Sequence, residues 1–135
     1  MQKKMQEGQS PPSDYYDPEI EVESWQLYTD PKEFEFYLKD HWMAPAELYT
    51  REIIHKLGLD NDPRVIEADK KILKLAIKLN AAKLDKSDIG YQPEPTWWWY
   101  FLNDIHHGKY PLELLPDHLK DIYREHLKNL GKPSS

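Results

Sequence analysis

The chain has 135 residues, 39% hydrophobic and 31% charged, with a formal net charge of −6; these are the dimensions of one soluble domain with its own core. It has no cysteine, which excludes disulfides, thiolate metal sites and cysteine nucleophiles and fits an intracellular, reducing compartment such as the cytoplasm or an organelle interior. No apolar run reaches the roughly 20 residues of a membrane helix, and the opening "MQKKMQEGQSPPSD" lacks the apolar segment of a signal peptide.

The charge is unevenly placed. Residues 1–30 carry Lys3 and Lys4 against seven carboxylates, whereas the other 105 residues hold 16 basic and 17 acidic side chains. The acidity therefore belongs to an N-terminal arm, residues 1–30, ahead of a nearly neutral body, residues 31–135. Within the arm, residues 1–13 have no periodicity and read as flexible. The stretch "DYYDPEIEVESWQLYTD" alternates briefly at Ile20 and Val22 and reads as an extended segment, pinned by Tyr15, Tyr16, Trp25 and Tyr28.

Helices follow. Asp30-Pro31-Lys32-Glu33 combines an N-cap, a proline at the first helical position and a capping-box glutamate, predicting a helix to about Asp40. A second helix runs from Pro45 to just before Gly58, with Tyr49, Ile53, Ile54 and Leu57 on one face. The third, capped by Asp62-Pro63 and reaching about Leu84, has apolar residues over more than half its circumference. A stripe that wide predicts neighbours on several sides, so this is the central helix. Its remaining face holds Glu67, Lys70, Lys71, Lys74 and Lys78. After a loop with Gly90, Pro93 and Pro95, Thr96 is the expected N-cap of a tryptophan-rich helix that Gly108 stops. A turn at Pro111 leads to a last helix from Pro116 to Asn129. Its expected buried stripe is Leu119, Ile122, Tyr123, Leu127 and Leu130, with Gly131 as C-cap. The reading is an all-α single domain, a small bundle of about five helices with an extended, acidic, aromatic-rich arm.

Three consecutive tryptophans pose the main question about function. On a helix starting after Thr96, Trp97, Trp98, Phe101, Leu102 and Ile105 share an apolar arc of roughly 140°. Trp99 points away from it with Asn103 and His106, flanked by Tyr100 and His107. Either Trp99 is core beneath the arm or the preceding loop, or Trp99, Tyr100, Asn103 and His106 form a protein-docking patch, with Trp25 and Tyr28 as further aromatic anchors.

Other chemistry is weaker. His118, Asp121 and Glu125 recur at offsets of three and four on the last helix, a face that with one further ligand could hold zinc or iron. No second Glu-x-x-His accompanies it, and pairing of Asp121 with Arg124 and of Glu125 with Lys128 on a solvated face is the better expectation. The neighbours His106 and His107 diverge by about 100° on a helix, which suits capping of carbonyls better than chelation. His126 falls within the apolar stripe, where a hydrogen-bonded core histidine is expected. There is no phosphate loop, G-x-S-x-G, H-E-x-x-H or EF-hand loop. The face formed by Lys70, Lys71, Lys74 and Lys78 offers phosphate contacts but no arginine, asparagine or glutamine for base edges, and the chain is acidic, so nucleic acid is disfavoured.

The sequence therefore points to a non-enzymatic interaction or scaffolding subunit of a larger assembly, with protein partners and no cofactor. The alternatives are a metal-dependent helical-bundle enzyme using His118, Asp121 and Glu125, and a helical nucleic-acid-binding regulator using the lysine face.

Overall fold

The computed structural model describes residues 16–39, 44–79 and 92–131. The expected flexible stretch 1–13 and the extension of the third helix to Leu84 lie outside the described residues. Among the described residues there are six α-helices and no strand. No helix among them is long and apolar enough to cross a membrane.

Helix α1 (Pro18–Leu27) corrects the expectation of an extended arm. Asp17 caps it, accepting a hydrogen bond from the Glu19 N–H at 2.9 Å, and Pro18 opens the first turn. Val22, Trp25 and Tyr28 recur every third residue and are all buried, against α3 and α4. A cap and a buried stripe outweigh the brief alternation that suggested a strand. Glu19 also reaches across to Arg64 at the start of α4, accepting from Nη1 at 2.6 Å and Nη2 at 3.1 Å. Arg64 donates to Asp62 as well. Its hydrogen bonds hold both carboxyls below the ordinary carboxylate range. Depressed folded-state values mean that the clamp contributes above that range and is lost as pH falls through them. Arg64→Ala should therefore lower the melting temperature only slightly at neutral pH, since exposed ion pairs contribute little, and the difference should vanish in acid. It should also remove part of the acid-side slope in thermal melts taken across pH.

Helix α2 begins at Pro31–Glu33, capped by Asp30 through the Lys32 and Glu33 N–H groups, and widens into a π-helical turn over Phe34–Leu38. The Lys39 N–H bonds to the Phe34 carbonyl at 3.0 Å. The turn sends Phe34 and Leu38 into the core and leaves Phe36 59% exposed.

Helix α3 (Ala44–Lys56) buries Leu48, Arg51, Glu52, Ile53 and Ile54. Tyr49, expected on the buried face, is at the surface, because Arg51 and Glu52 find partners inside and rotate the buried stripe toward themselves. Gly58, at a φ of 77°, ends the helix. The Leu59 N–H returns to the Ile54 carbonyl and the Gly58 N–H to that of His55; this paired closure needs a left-handed residue, which glycine supplies without strain. The turn brings Asp60 back beside the helix it has just left.

Helix α4 (Pro63–Leu79) is central, as its wide stripe predicts. It packs on α1, on α5 (Leu102–His106) and on α6 (Asp117–Asn129). Val65, Ala68, Asp69, Ile72, Leu73 and Ala76 are buried, while Lys71, Lys74 and Lys78 are exposed.

The tryptophan segment departs from expectation. Thr96 does not cap a helix; a 3-10 turn over Trp98–Phe101 precedes α5. At three residues per turn, successive side chains point about 120° apart, and neighbours close in on all three directions. Trp98, Trp99 and Tyr100 are consequently all buried, and Trp97 is the half-buried one. The expectation that Trp97 and Trp98 enter the core while Trp99 stays apart is thus corrected, because the 3-10 turn changes the phase.

A short 3-10 turn (Leu112–Leu114) leads into α6, which buries Leu119, Tyr123, His126 and Leu127. Leu130, counted in the expected stripe, is exposed, since the helix ends at Asn129 and the chain turns away at Gly131. The Tyr123 hydroxyl donates to the Tyr110 carbonyl at 2.6 Å; burial pushes its pKa up to about 12.

Candidate protein-interaction site

A carboxylate in an apolar arc has to find donors, and Asp69 finds four. Its Oδ1 accepts from the Trp25 indole N–H at 2.8 Å and from Arg51 Nε at 2.9 Å. Its Oδ2 accepts from Arg51 Nη2 at 2.9 Å and lies 3.0 Å from His118 Nε2. Arg51 spends its remaining arm on Asp60 at 2.8 Å, and His55 Nδ1 meets the other Asp60 oxygen at 2.8 Å. Burial works against the Arg51 charge, but Asp69 and Asp60 outweigh it, so the guanidinium pKa is raised. This network ties α1, α3, α4 and α6 together through one fully buried carboxylate. The fork geometry of arginine suits it: two parallel bonds fix orientation as well as distance.

From Arg51 a column of rings leads outward. The guanidinium carbon lies 4.9 Å from the centre of the Trp99 ring. Trp99 stacks on Trp97 with 16° between planes and 6.0 Å between centres. Lys56 Nζ lies 5.9 Å from the centre of the Trp97 ring. Two cations thus face two stacked indoles, one from the core and one from the surface, an attraction to the ring quadrupoles that strengthens where water is excluded. The buried Trp99 indole N–H has no acceptor among the described residues. Beside the column, Glu52 accepts from the Tyr100 hydroxyl at 2.7 Å and from Lys56 at 2.8 Å. His55 touches both Trp97 and Trp99 edge-on or tilted.

The outer end of this column is an aromatic strip. Trp97 is half-buried, Tyr49 is 39% exposed, and His55 and Lys56 are exposed between them. Tyr16 closes the strip: the Tyr49 hydroxyl pKa is raised by burial and by a hydrogen bond with Tyr16.

The residues singled out from sequence fall elsewhere. Trp25, Tyr28, Trp99 and Tyr100 are buried, with Trp99 only 2% exposed; they are not surface anchors, because the Asp69 network, Glu47 and Glu52 satisfy their polar tips or the column encloses their rings. Asn103 and His106 are half-buried, and His106 Nδ1 meets the Ala76 carbonyl at 3.0 Å. His126 Nε2 is 2.7 Å from the His106 carbonyl, the hydrogen-bonded core histidine expected there. Lys70 is half-buried beside its three exposed companions.

The metal candidates separate. His118 is drawn inward to Asp69, while Asp121 pairs with Arg124 at 2.6 Å and Glu125 with Lys128 at 3.9 Å. Among the described residues, no three histidine or carboxylate side chains converge in a way that would hold a metal ion. The Arg51–Asp69 network was not anticipated from sequence. Its one signal was Asp69 itself, an acid about 40° from Val65 on the helical wheel and therefore inside the apolar arc.

Comparison with protein families, with curated proteins and with solved structures finds no match to this chain.

Proposed function

We propose that this protein is a non-enzymatic interaction or scaffolding subunit of a larger assembly, binding a protein partner through Tyr16, Tyr49, His55, Lys56 and Trp97. The observation that carries this reading is the half-buried Trp97, held flat against Trp99 and framed by exposed tyrosine, histidine and lysine. An aromatic ring that is already ordered loses little rotamer freedom on binding, and large rings with polar surroundings are the side chains that dominate protein interfaces. The interior polar groups support the same reading. Asp69, Arg51, Glu52 and Tyr100 are engaged with one another or with their neighbours, so they serve the fold, and binding is left to the surface.

The test is a comparison of variants against the proteins that copurify with the wild type. Trp97→Ala is expected to keep a cooperative melt close to that of the wild type and to weaken partner binding by about 2 kcal/mol or more, the size of a hot-spot truncation. Lys74→Ala, on another face, should retain the partner. Undiminished binding by Trp97→Ala and by Tyr49→Ala would overturn the assignment.

A further inference from the structure

A second surface carries an inference that does not depend on the aromatic strip. Most cations on the described helices have a carboxylate partner: Lys39 has Glu35, Lys56 has Glu52, Lys120 has Asp117, Arg124 has Asp121 and Lys128 has Glu125. The α4 face is different. Lys70, Lys71, Lys74 and Lys78 form no ion pair with any described residue, although Glu67 shares their side of the helix.

Helix α1 is its electrostatic complement. From Asp17 to Leu27 it has four carboxylates, Asp17, Glu19, Glu21 and Glu23, and no base. Its outer side also presents Ile20, 57% exposed, and Leu27, 50% exposed, seven residues apart and so on one line of the helix.

The two charged faces adjoin. Arg64 and Lys71 are seven residues apart on α4, and Arg64 already holds Glu19 of α1 with two hydrogen bonds. That clamp is the intramolecular form of the contact: an α1 acid on an α4 base. One copy cannot complete it, because α1 packs beside α4 through Val22 and Trp25 and keeps Glu23 exposed on the side of Ile20 and Leu27.

We infer that the lysine face of α4 is an interface for a second copy of this chain, which lays the acidic outer side of its α1 across Lys70, Lys71, Lys74 and Lys78. Ile20 and Leu27 of the incoming helix rest on the methylene stems of the lysines, which can cover apolar surface while their ammonium groups reach the carboxylates. Because α1 and α4 are neighbours in each copy, the same contact forms in both directions about a two-fold axis, an isologous dimer. Such an interface is held largely by charge and weakens as salt shortens the screening length.

The experiment is sedimentation equilibrium of the full chain over a concentration series at low and high salt. At low salt the weight-average mass should rise from one chain, 16.1 kDa, toward twice that value; at high salt it should stay at one chain. Two charge changes test the surfaces: Lys71→Glu with Lys74→Glu, and Glu23→Lys with Gln26→Lys, both exposed on α1. Each variant alone should remain at one-chain mass while melting like the wild type. Mixed in equal amounts they should associate again, because each reversed face meets its complement. A wild-type mass fixed at one chain at low salt would overturn the inference, as would a mixture that fails to associate. A Lys71- and Lys74-dependent gel shift with duplex DNA, with the protein still at one-chain mass, would reassign the face to nucleic acid. None of these outcomes touches Trp97, so the strip and this interface stand or fall separately.

Discussion

Asp69→Ala is expected to destabilise the protein by about 3–5 kcal/mol, the cost of stranding one partner of a buried ion pair. The reason is the arrangement around that carboxylate. Arg51 is buried and would keep only Asp60, while the Trp25 indole and His118 would lose their acceptor. Small domains have about 5–15 kcal/mol in total, so the variant should melt far below the wild type or not fold at all. The control separates charge from packing. Arg51→Met with Asp69→Leu removes both ions, and replacing a buried pair by apolar residues is often neutral or stabilising. The buried Trp25 N–H would still be left without an acceptor, at about 1–3 kcal/mol, while the partly exposed His118 can turn to water, so the double variant should fall between Asp69→Ala and the wild type. Denaturant titration of the three proteins measures this. Equal midpoints for Asp69→Ala and wild type would show that the network does not hold the helices together.

Ile72→Asp is expected to abolish folding. Ile72 is fully buried on the side of α4 that faces the core. Truncating such a side chain costs about 2–5 kcal/mol in lost burial and cavity, and the new carboxylate would be desolvated without the donors that serve Asp69. Lys74→Asp, two residues along on the opposite face, should change stability by no more than about 0.5 kcal/mol, as exposed substitutions away from special features do. Far-UV circular dichroism on heating distinguishes them, and a cooperative melt for Ile72→Asp at the wild-type temperature would refute the phase of the helix.

Much of the helical plan was legible because capping and periodicity are local. Asp30-Pro31, Asp62-Pro63 and Gly58 each act within one turn of the chain, and the breadth of the α4 stripe required several neighbours whatever they were. The errors share a different origin. Val22, Trp25 and Tyr28 have the spacing of a buried helix stripe, but nothing local says that α3 and α4 leave a place for it. Ile20 and Val22 alternate with acids over only five residues, which a strand and a helix surface fit equally. Charged side chains such as Arg51 and Glu52 are seldom buried, and only distant partners make an exception of them: Asp69 is eighteen residues away from Arg51 and Tyr100 forty-eight from Glu52.

Sequence alone determined the all-helical class, the positions of the main caps, the central place of α4 and the exposed lysine face. Each depends on residues within a few turns of one another, where backbone geometry fixes which side chains share a face. Tertiary structure alone decided which tryptophan reaches the surface. The 3-10 turn at Trp98–Phe101 replaces the expected α-helical phase, and Arg51, arriving from α3, stacks on Trp99 and keeps it inside. Three adjacent rings cannot choose their own directions by periodicity; the buried charge that one of them covers makes the choice, and that charge is held in place by a carboxylate on another helix.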